Sequence, residues 1–256
     1  MEFVDTHCHI QFSDYPFTAD DVLARAAEHA VTRLISVGCT LPDSAAAVKF
    51  AARYPSVWAA VGLHPHESSR YVYDHHALQE FRTLATKPRV VAIGETGLDY
   101  YYNHSPKNDQ ARLLRFQLEL ALEHDLPIIF HVREAYDDFW EILKDFRGLR
   151  GVVHSFSAGR RELEQVLEHN LHIGLNGIMT FTKIDEQLAA ASAVPLEMMV
   201  LETDSPYLTP IPYRGKMCEP YHTSVTAEFL AELRGESLET LAEATTANAV
   251  KLFGLS

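Results

Sequence analysis

Eight short apolar runs recur along the chain, each followed by a stretch of amphipathic, helical pattern. The runs cover residues 3–6, 34–37, 57–61, 90–93, 127–130, 152–153, 171–175 and 199–201. Runs this short between polar segments read as strands buried on both faces. The intervening patterns place helices near 19–29, 43–54, 75–85, 107–124, 135–146, 160–168 and 185–193, with two more near 221–234 and 237–253. Thr18, three residues ahead of Asp21, reads as the N-cap of the first helix, and Ser237 with Thr240 suits the start of the last. Strands that alternate with helices pair in parallel, and a parallel sheet needs both faces covered. Eight such units in 256 residues describe a TIM-type (β/α)8 barrel, an α/β fold with a single domain over residues 1–256. An open, doubly wound sheet is the alternative. The longest loops, 63–74, 99–106 and 205–219, all follow strands, on the face where barrel active sites are built.

At 47% hydrophobic residues the chain can bury the core such a barrel needs. Its formal net charge is −13, from 35 acidic and 22 basic residues. Such a surface repels polyanions except where cations or a local basic rim intervene. Cys8, Cys39 and Cys218 form an odd set without C-x-x-C spacing, which argues against a disulfide framework and a zinc ribbon. No charged-then-apolar leader precedes the first motif, and no apolar run approaches the ~20 residues that cross a bilayer. The expectation is a soluble, cytoplasmic protein with no membrane association and no obligate protein partner.

Histidine is the unusual component, with 14 in the chain, and several stand at strand ends. The first strand runs into His7 and His9 of VDTHCHI at 4–10, and the third into Gly62-Leu63-His64-Pro65-His66. The fourth ends in Gly94-Glu95, the fifth in His131, the sixth in His154, and the eighth runs into Glu202-Thr203-Asp204. Residues i and i+2 of a strand share a face, so His7 and His9 turn inward together while Cys8 turns away. Four imidazoles and two carboxylates converging on one barrel face supply a dinuclear metal site in number and kind. Glu95, with two oxygens, is the natural bridge between the ions. Asp204 can ligate one ion and orient or deprotonate a water that the metal acidifies. Singly, each residue has an ordinary role open to it: a strand histidine, a helix cap or a partner for Arg133 in the case of Glu95, a turn before Ser205-Pro206 in the case of Asp204. Coincidence would have to place all six at the same end of different strands.

These stretches resemble the TatD family of metal-dependent deoxyribonucleases, within the amidohydrolase-like barrels. The resemblance is carried by VDTHCHI at 4–10, VGLHPH at 61–66, AIGETGLDYY at 92–101, LPIIFHVREA at 126–135, VVHSFSAG at 152–159, LETDSPYLTP at 201–210, RGKMCEP at 214–220 and NAVKLFGL at 248–255. It implies two divalent cations (Mg²⁺, Mn²⁺ or Zn²⁺) and hydrolysis of DNA phosphodiesters from the 3′ end, with single-stranded or frayed DNA as substrate. The implied metal ligands are His7, His9, Glu95, His131, His154 and Asp204, with Glu95 and Asp204 catalytic. In that arrangement His7, His9 and Asp204 serve one ion, His131 and His154 the other, and Glu95 bridges. His64 and Glu202 are second-tier candidates for a third cation or a substrate phosphate, and His66 is weaker. His104 and His222 stay unassigned. Two departures stand out. Met217-Cys218 precedes Glu219-Pro220 where the family has Arg-Asn, which bears on substrate contacts by that loop, and Ser155 stands where cysteine is common.

An acidic chain can still bind a polyanion locally. Arg133, Arg160, Arg214 and Lys216 follow strand ends and are candidates for phosphate contacts. Tyr100, Tyr101 and Tyr207 are candidates for stacking on unpaired bases. The competing activity is an amidohydrolase or lactonase acting on a small molecule with the same dinuclear site. Such relatives often bridge their metals with a carbamylated lysine from the fourth strand, and residues 90–94 contain none. A non-catalytic binding module would be expected to have lost ligands, and none of the six is missing.

Overall fold

The computed structural model describes all 256 residues, and its strands lie where the apolar runs indicate. β1 (Phe3–Cys8), β2 (Val31–Val37), β3 (Val57–Val61), β4 (Val90–Asp99), β5 (Ile128–Arg133), β6 (Gly151–Val153), β7 (His172–Leu175) and β8 (Met199–Leu201) form one parallel sheet in chain order. The helices are α1 (Ala19–Glu28), α2 (Leu41–Arg53), α3 (Ser68–Tyr71), α4 (His75–Ala85), α5 (Lys107–Glu123), α6 (Tyr136–Leu143), α7 (Arg160–Glu168), α8 (Asp185–Ala193), α9 (His222–Arg234) and α10 (Leu238–Phe253). This is the (β/α)8 barrel. The doubly wound sheet falls, because its strand order reverses at a switch point and this one never does. Short α3 escapes a sequence reading because one turn carries no periodicity to detect.

Local chemistry explains the elements. All five residues of β3 are buried, as a strand covered on both faces requires. In α1, Val22 and Ala26 lie four residues apart on the buried face, while Asp20 and Asp21 occupy the first turn. Thr18 caps it, its hydroxyl oxygen accepting from the Asp21 N–H at 3.3 Å. Ser237 does the same for α10 through Thr240.

By packing, the chain falls into two compact units, Met1–Ser36 with His154–Ser256, and Val37–Val153. In the first, β1 pairs with β2, and the chain beyond β1 continues beside the segment that follows β8. The His9 N–H donates to Ser205 O at 2.7 Å, and the Asp204 N–H to His7 O at 2.8 Å. Cys8 points away from these contacts, as the pleat predicts. Its thiol is buried against Ile35 O at 3.4 Å, and burial pushes its pKa up. The thiol therefore does packing work, and Cys8→Ala should leave divalent-cation affinity within about twofold while lowering stability by roughly 1–2 kcal/mol, read by calorimetric titration and urea unfolding.

In the second unit β4 is longer than its apolar run, continuing past Glu95 to Asp99 and pairing with β5 from Ile93 to Asp99. Gly94 and Gly97 lower strand propensity, which is why the sequence reading stops early. Here they let β4 press against β5: both have φ of +154°, and a Cβ on Gly97 would sit 1.8 Å from His131 O. Gly97→Ala should therefore destabilise the protein by about 3 kcal/mol or more. Gly148→Ala, with φ of +80° but open space around it, should cost about 1 kcal/mol. Chemical denaturation of the two variants checks the contrast.

Candidate metal centre

The first unit gathers His7, His9, His154, Glu202 and Asp204. Strand parity turns His7 and His9 to one side, and their Nε2 atoms lie 3.1 Å apart. Asp204 Oδ1 is 3.3 Å from His9 Nε2 and 3.7 Å from His7 Nε2. Ligand bonds of roughly 2.0–2.2 Å place neighbouring donor atoms roughly 3.0–3.5 Å apart, so this spacing suits one shared cation. Burial opposes the charge on Asp204, but hydrogen bonding to His9 and the neighbouring His7 and His154 outweigh it and hold the pKa below the usual carboxylate range. Asp204 also takes a left-handed backbone, φ 58°, a strained state that the His7 contact keeps in place. His154 stacks on His7 with centroids 4.1 Å apart. Its Nδ1 is 3.6 Å from Glu202 Oε1.

Asp5, fully buried, positions this group. Its Oδ1 accepts from the Thr203 N–H at 2.9 Å and the His7 N–H at 3.3 Å, while Oδ2 meets the Thr203 hydroxyl at 2.7 Å. Burial pushes its pKa up to about 8. Glu202 is pinned as well, with Oε1 accepting from the Ser155 N–H at 2.6 Å and the Asn176 amide at 3.1 Å. Its Oε2 is buried without a hydrogen-bond partner, and Glu202 with His7 and His154 makes a second group of donors spaced for a cation.

The second unit gathers His64, Glu95 and His131. Glu95 Oε1 lies 2.7 Å from His131 Nδ1 and 3.4 Å from His64 Nε2. Burial pushes the His64 pKa down to about 4, so its ring is neutral and its nitrogens remain donors to metal at pH 7. Cys39 Sγ approaches the other Glu95 oxygen at 3.7 Å.

Asp99 and His66 do more here than the sequence reading assigned to them. Asp99 Oδ2 accepts from His66 Nε2 at 2.9 Å and from His131 Nε2 at 3.1 Å, while Oδ1 accepts from the Tyr101 and Tyr102 N–H groups at 3.0 Å each. Burial works against this carboxylate, but the two histidines and the Tyr102 N–H outweigh it and hold its pKa far below the usual range. In the neutral tautomer whose ring proton is directed to Asp99, the lone pair of His131 Nδ1 faces the Glu95 carboxylate. Two lone pairs at that distance need a proton or a cation between them. The pattern is that of a carboxylate orienting a metal-bound imidazole. A signal was available: Asp99 has the strand parity of Glu95.

The remaining candidates separate. Tyr207 is exposed, its ring 6.5 Å from that of His9. Arg160 pairs with Glu164 along its own helix at 3.2 Å. Arg214 donates to Thr209 O at 2.8 Å and lies over Phe181, and Lys216 lies over Tyr213. Tyr100 donates its hydroxyl to Asp138 at 2.7 Å beneath Lys107. Cys218, in the departing loop, is buried with Sγ 3.7 Å from His222 Nδ1, whereas Met217 is exposed. Asp99→Asn removes the charge that orients His131 and should lower divalent-cation affinity roughly 10–100-fold. Calorimetric titration of metal-free protein reads this directly, and unchanged affinity would confine Asp99 to a folding role.

The chain is also similar to known proteins along nearly its whole length. A family model described as TatD related DNase matches residues 4–254. The uncharacterized metal-dependent hydrolase YcfH of Escherichia coli K12 is 36% identical, over 99% of this chain and 96% of its own. A Citrobacter rodentium protein named 3′-5′ ssDNA/RNA exonuclease TatD is 35% identical, over 98% of both chains. The crystal structure of YJJV, a TatD homologue from E. coli K12, superposes with a TM-score of 0.90 at 29% identity, over 99% of this chain and 98% of that one. A family match over residues 4–254 and relatives more than 30% identical from end to end show that the chain belongs to the TatD-related DNases, a family of metal-dependent hydrolases.

Proposed function

We propose that the protein is a two-metal phosphodiesterase that shortens single-stranded DNA from its 3′ end, with His7, His9, Glu95, His131, His154 and Asp204 as the metal ligands. The observation that carries this reading is the donor spacing in each unit: imidazole nitrogens and carboxylate oxygens at 2.7–3.7 Å, each group suited to a divalent cation. The exonuclease name of a relative 35% identical over nearly the whole chain supports the substrate. The chemistry such cations supply when bound is charge neutralisation at a phosphoryl group and acidification of water.

The chain's own residues do the rest. Asp204 stays ionised, so its carboxylate can accept a hydrogen bond from an attacking water and take up its proton. His7 and His9 stay oriented because β1 is tied to the segment after β8. Glu95 and His131 face each other because Asp99 holds the far side of the His131 ring. Tyr207 offers an exposed ring beside His9 for a terminal base.

A 5′-labelled single strand incubated with Mg²⁺ or Mn²⁺ should shorten stepwise to a ladder, and chelation should stop it. Asp204→Asn should lower kcat about a hundredfold or more. Activity that survives thorough metal removal, or an Asp204→Asn enzyme equal to wild type, would reject the mechanism. Turnover of amide or lactone substrates in place of the strand would assign the small-molecule chemistry instead.

A further inference from the structure

Beside the donor group of the second unit lies a patch that the phosphodiesterase reading leaves unused. Arg133 is the last residue of β5, two beyond His131. The loop after β4 wraps tyrosines around it: the Arg133 guanidinium carbon lies 4.2 Å from the Tyr101 ring centroid and 4.7 Å from that of Tyr102. Tyr102 stacks on His104 at 5.7 Å, and His104 meets His66 at 4.6 Å. His66 shares the Asp99 carboxylate with His131, so the patch is continuous with the donor group.

Two features set the patch apart from ordinary surface. The first is charge. Arg25, Arg33, Arg82, Arg115, Arg160 and Arg234 are each neutralised by a carboxylate, whereas the Arg133 guanidinium meets aromatic rings. Stacking of this kind fixes the guanidinium plane and leaves its N–H edge for an anion. The second is exposure. Tyr101 and Tyr102 remain 52% and 50% exposed although a partner covers part of each ring. Neighbouring Tyr100 is instead committed to Asp138.

A planar cation between two half-exposed aromatic rings matches the phosphate and bases of a flexible nucleotide chain. A mononucleotide held at the donor group would have no further phosphate or base to offer it. We propose that Tyr101, Tyr102, His104 and Arg133 form a subsite for the phosphate and base of a nucleotide next to the one at the donor group, so that a strand is held at two consecutive nucleotides. This rests on the phosphodiesterase reading and extends it.

The test is equilibrium binding, which needs no turnover. Fluorescent phosphorothioate strands of two to eight nucleotides, as DNA and as RNA, are titrated into the full-length protein at several salt concentrations. Wild-type affinity should rise about tenfold or more between two and four nucleotides and then level off. Tyr101→Ala with Tyr102→Ala should weaken binding of the longer strands roughly fivefold or more without changing the salt dependence. Arg133→Gln should weaken them and lower the slope of log affinity against log salt by about 0.7, and Arg133→Lys should restore the slope. Losses with DNA, RNA or both support the subsite and name its strand. Affinity independent of length, or variants that bind like wild type while their thermal unfolding is unchanged, would overturn it. Binding that behaves as described in a protein that hydrolyses no strand would leave the subsite standing and remove the catalytic reading alone.

Discussion

A single buried carboxylate, Asp5, governs how the first donor group is assembled. It receives the backbone N–H groups of His7 and Thr203 and meets the Thr203 hydroxyl, so β1 and the segment after β8 are locked in one register. Two strand ends almost two hundred residues apart in sequence thereby present His7, His9 and Asp204 together. A slip of one residue would turn both histidines away, because side chains alternate across a strand. Burying Asp5 raises its pKa to about 8, and this desolvation cost is accepted in exchange for the register.

The second unit solves the same problem differently. Asp99 is buried like Asp5, but its partners are the rings of His66 and His131 together with backbone N–H groups. Those contacts stabilise the charged form, so its pKa moves the opposite way. Asp5 therefore fixes backbone, and Asp99 fixes the orientation of side chains. In both cases a residue that need touch no metal decides where the donor atoms point, as outer hydrogen bonds do in metalloproteins generally.

The acidic surface acquires meaning in this setting. With a net charge of −13, broad attraction to nucleic acid is absent, and the strand proposed as substrate would have to be held by local devices. Several surface cations are spent on ion pairs within a helix or between neighbouring segments. Arg160 is one of these, so its position after a strand end did not make it available. Arg133 was reached by the same sequence argument, and packing against rings instead of carboxylates keeps its charge open to an anion. Position after a strand brought both residues into consideration, while only their neighbours told them apart.

Much was legible in the amino-acid sequence. Alternating apolar runs and amphipathic stretches determined the (β/α)8 fold, because buried parallel strands and covering helices leave different hydrophobic periods. Strand parity determined that His7 and His9 share a side and that Cys8 does not. The full length of β4 was hidden, since glycines that weaken a strand in isolation are what allow Gly94 and Gly97 to pack on β5. The tertiary structure alone decided that Asp99 orients His131, that Tyr100 is committed to Asp138 while Tyr101 and Tyr102 flank Arg133, and that Cys218 is buried against His222. The physical reason is range. Periodicity and parity are properties of neighbouring residues along the chain, whereas a hydrogen bond or a stacked ring depends on which distant segment the fold brings alongside.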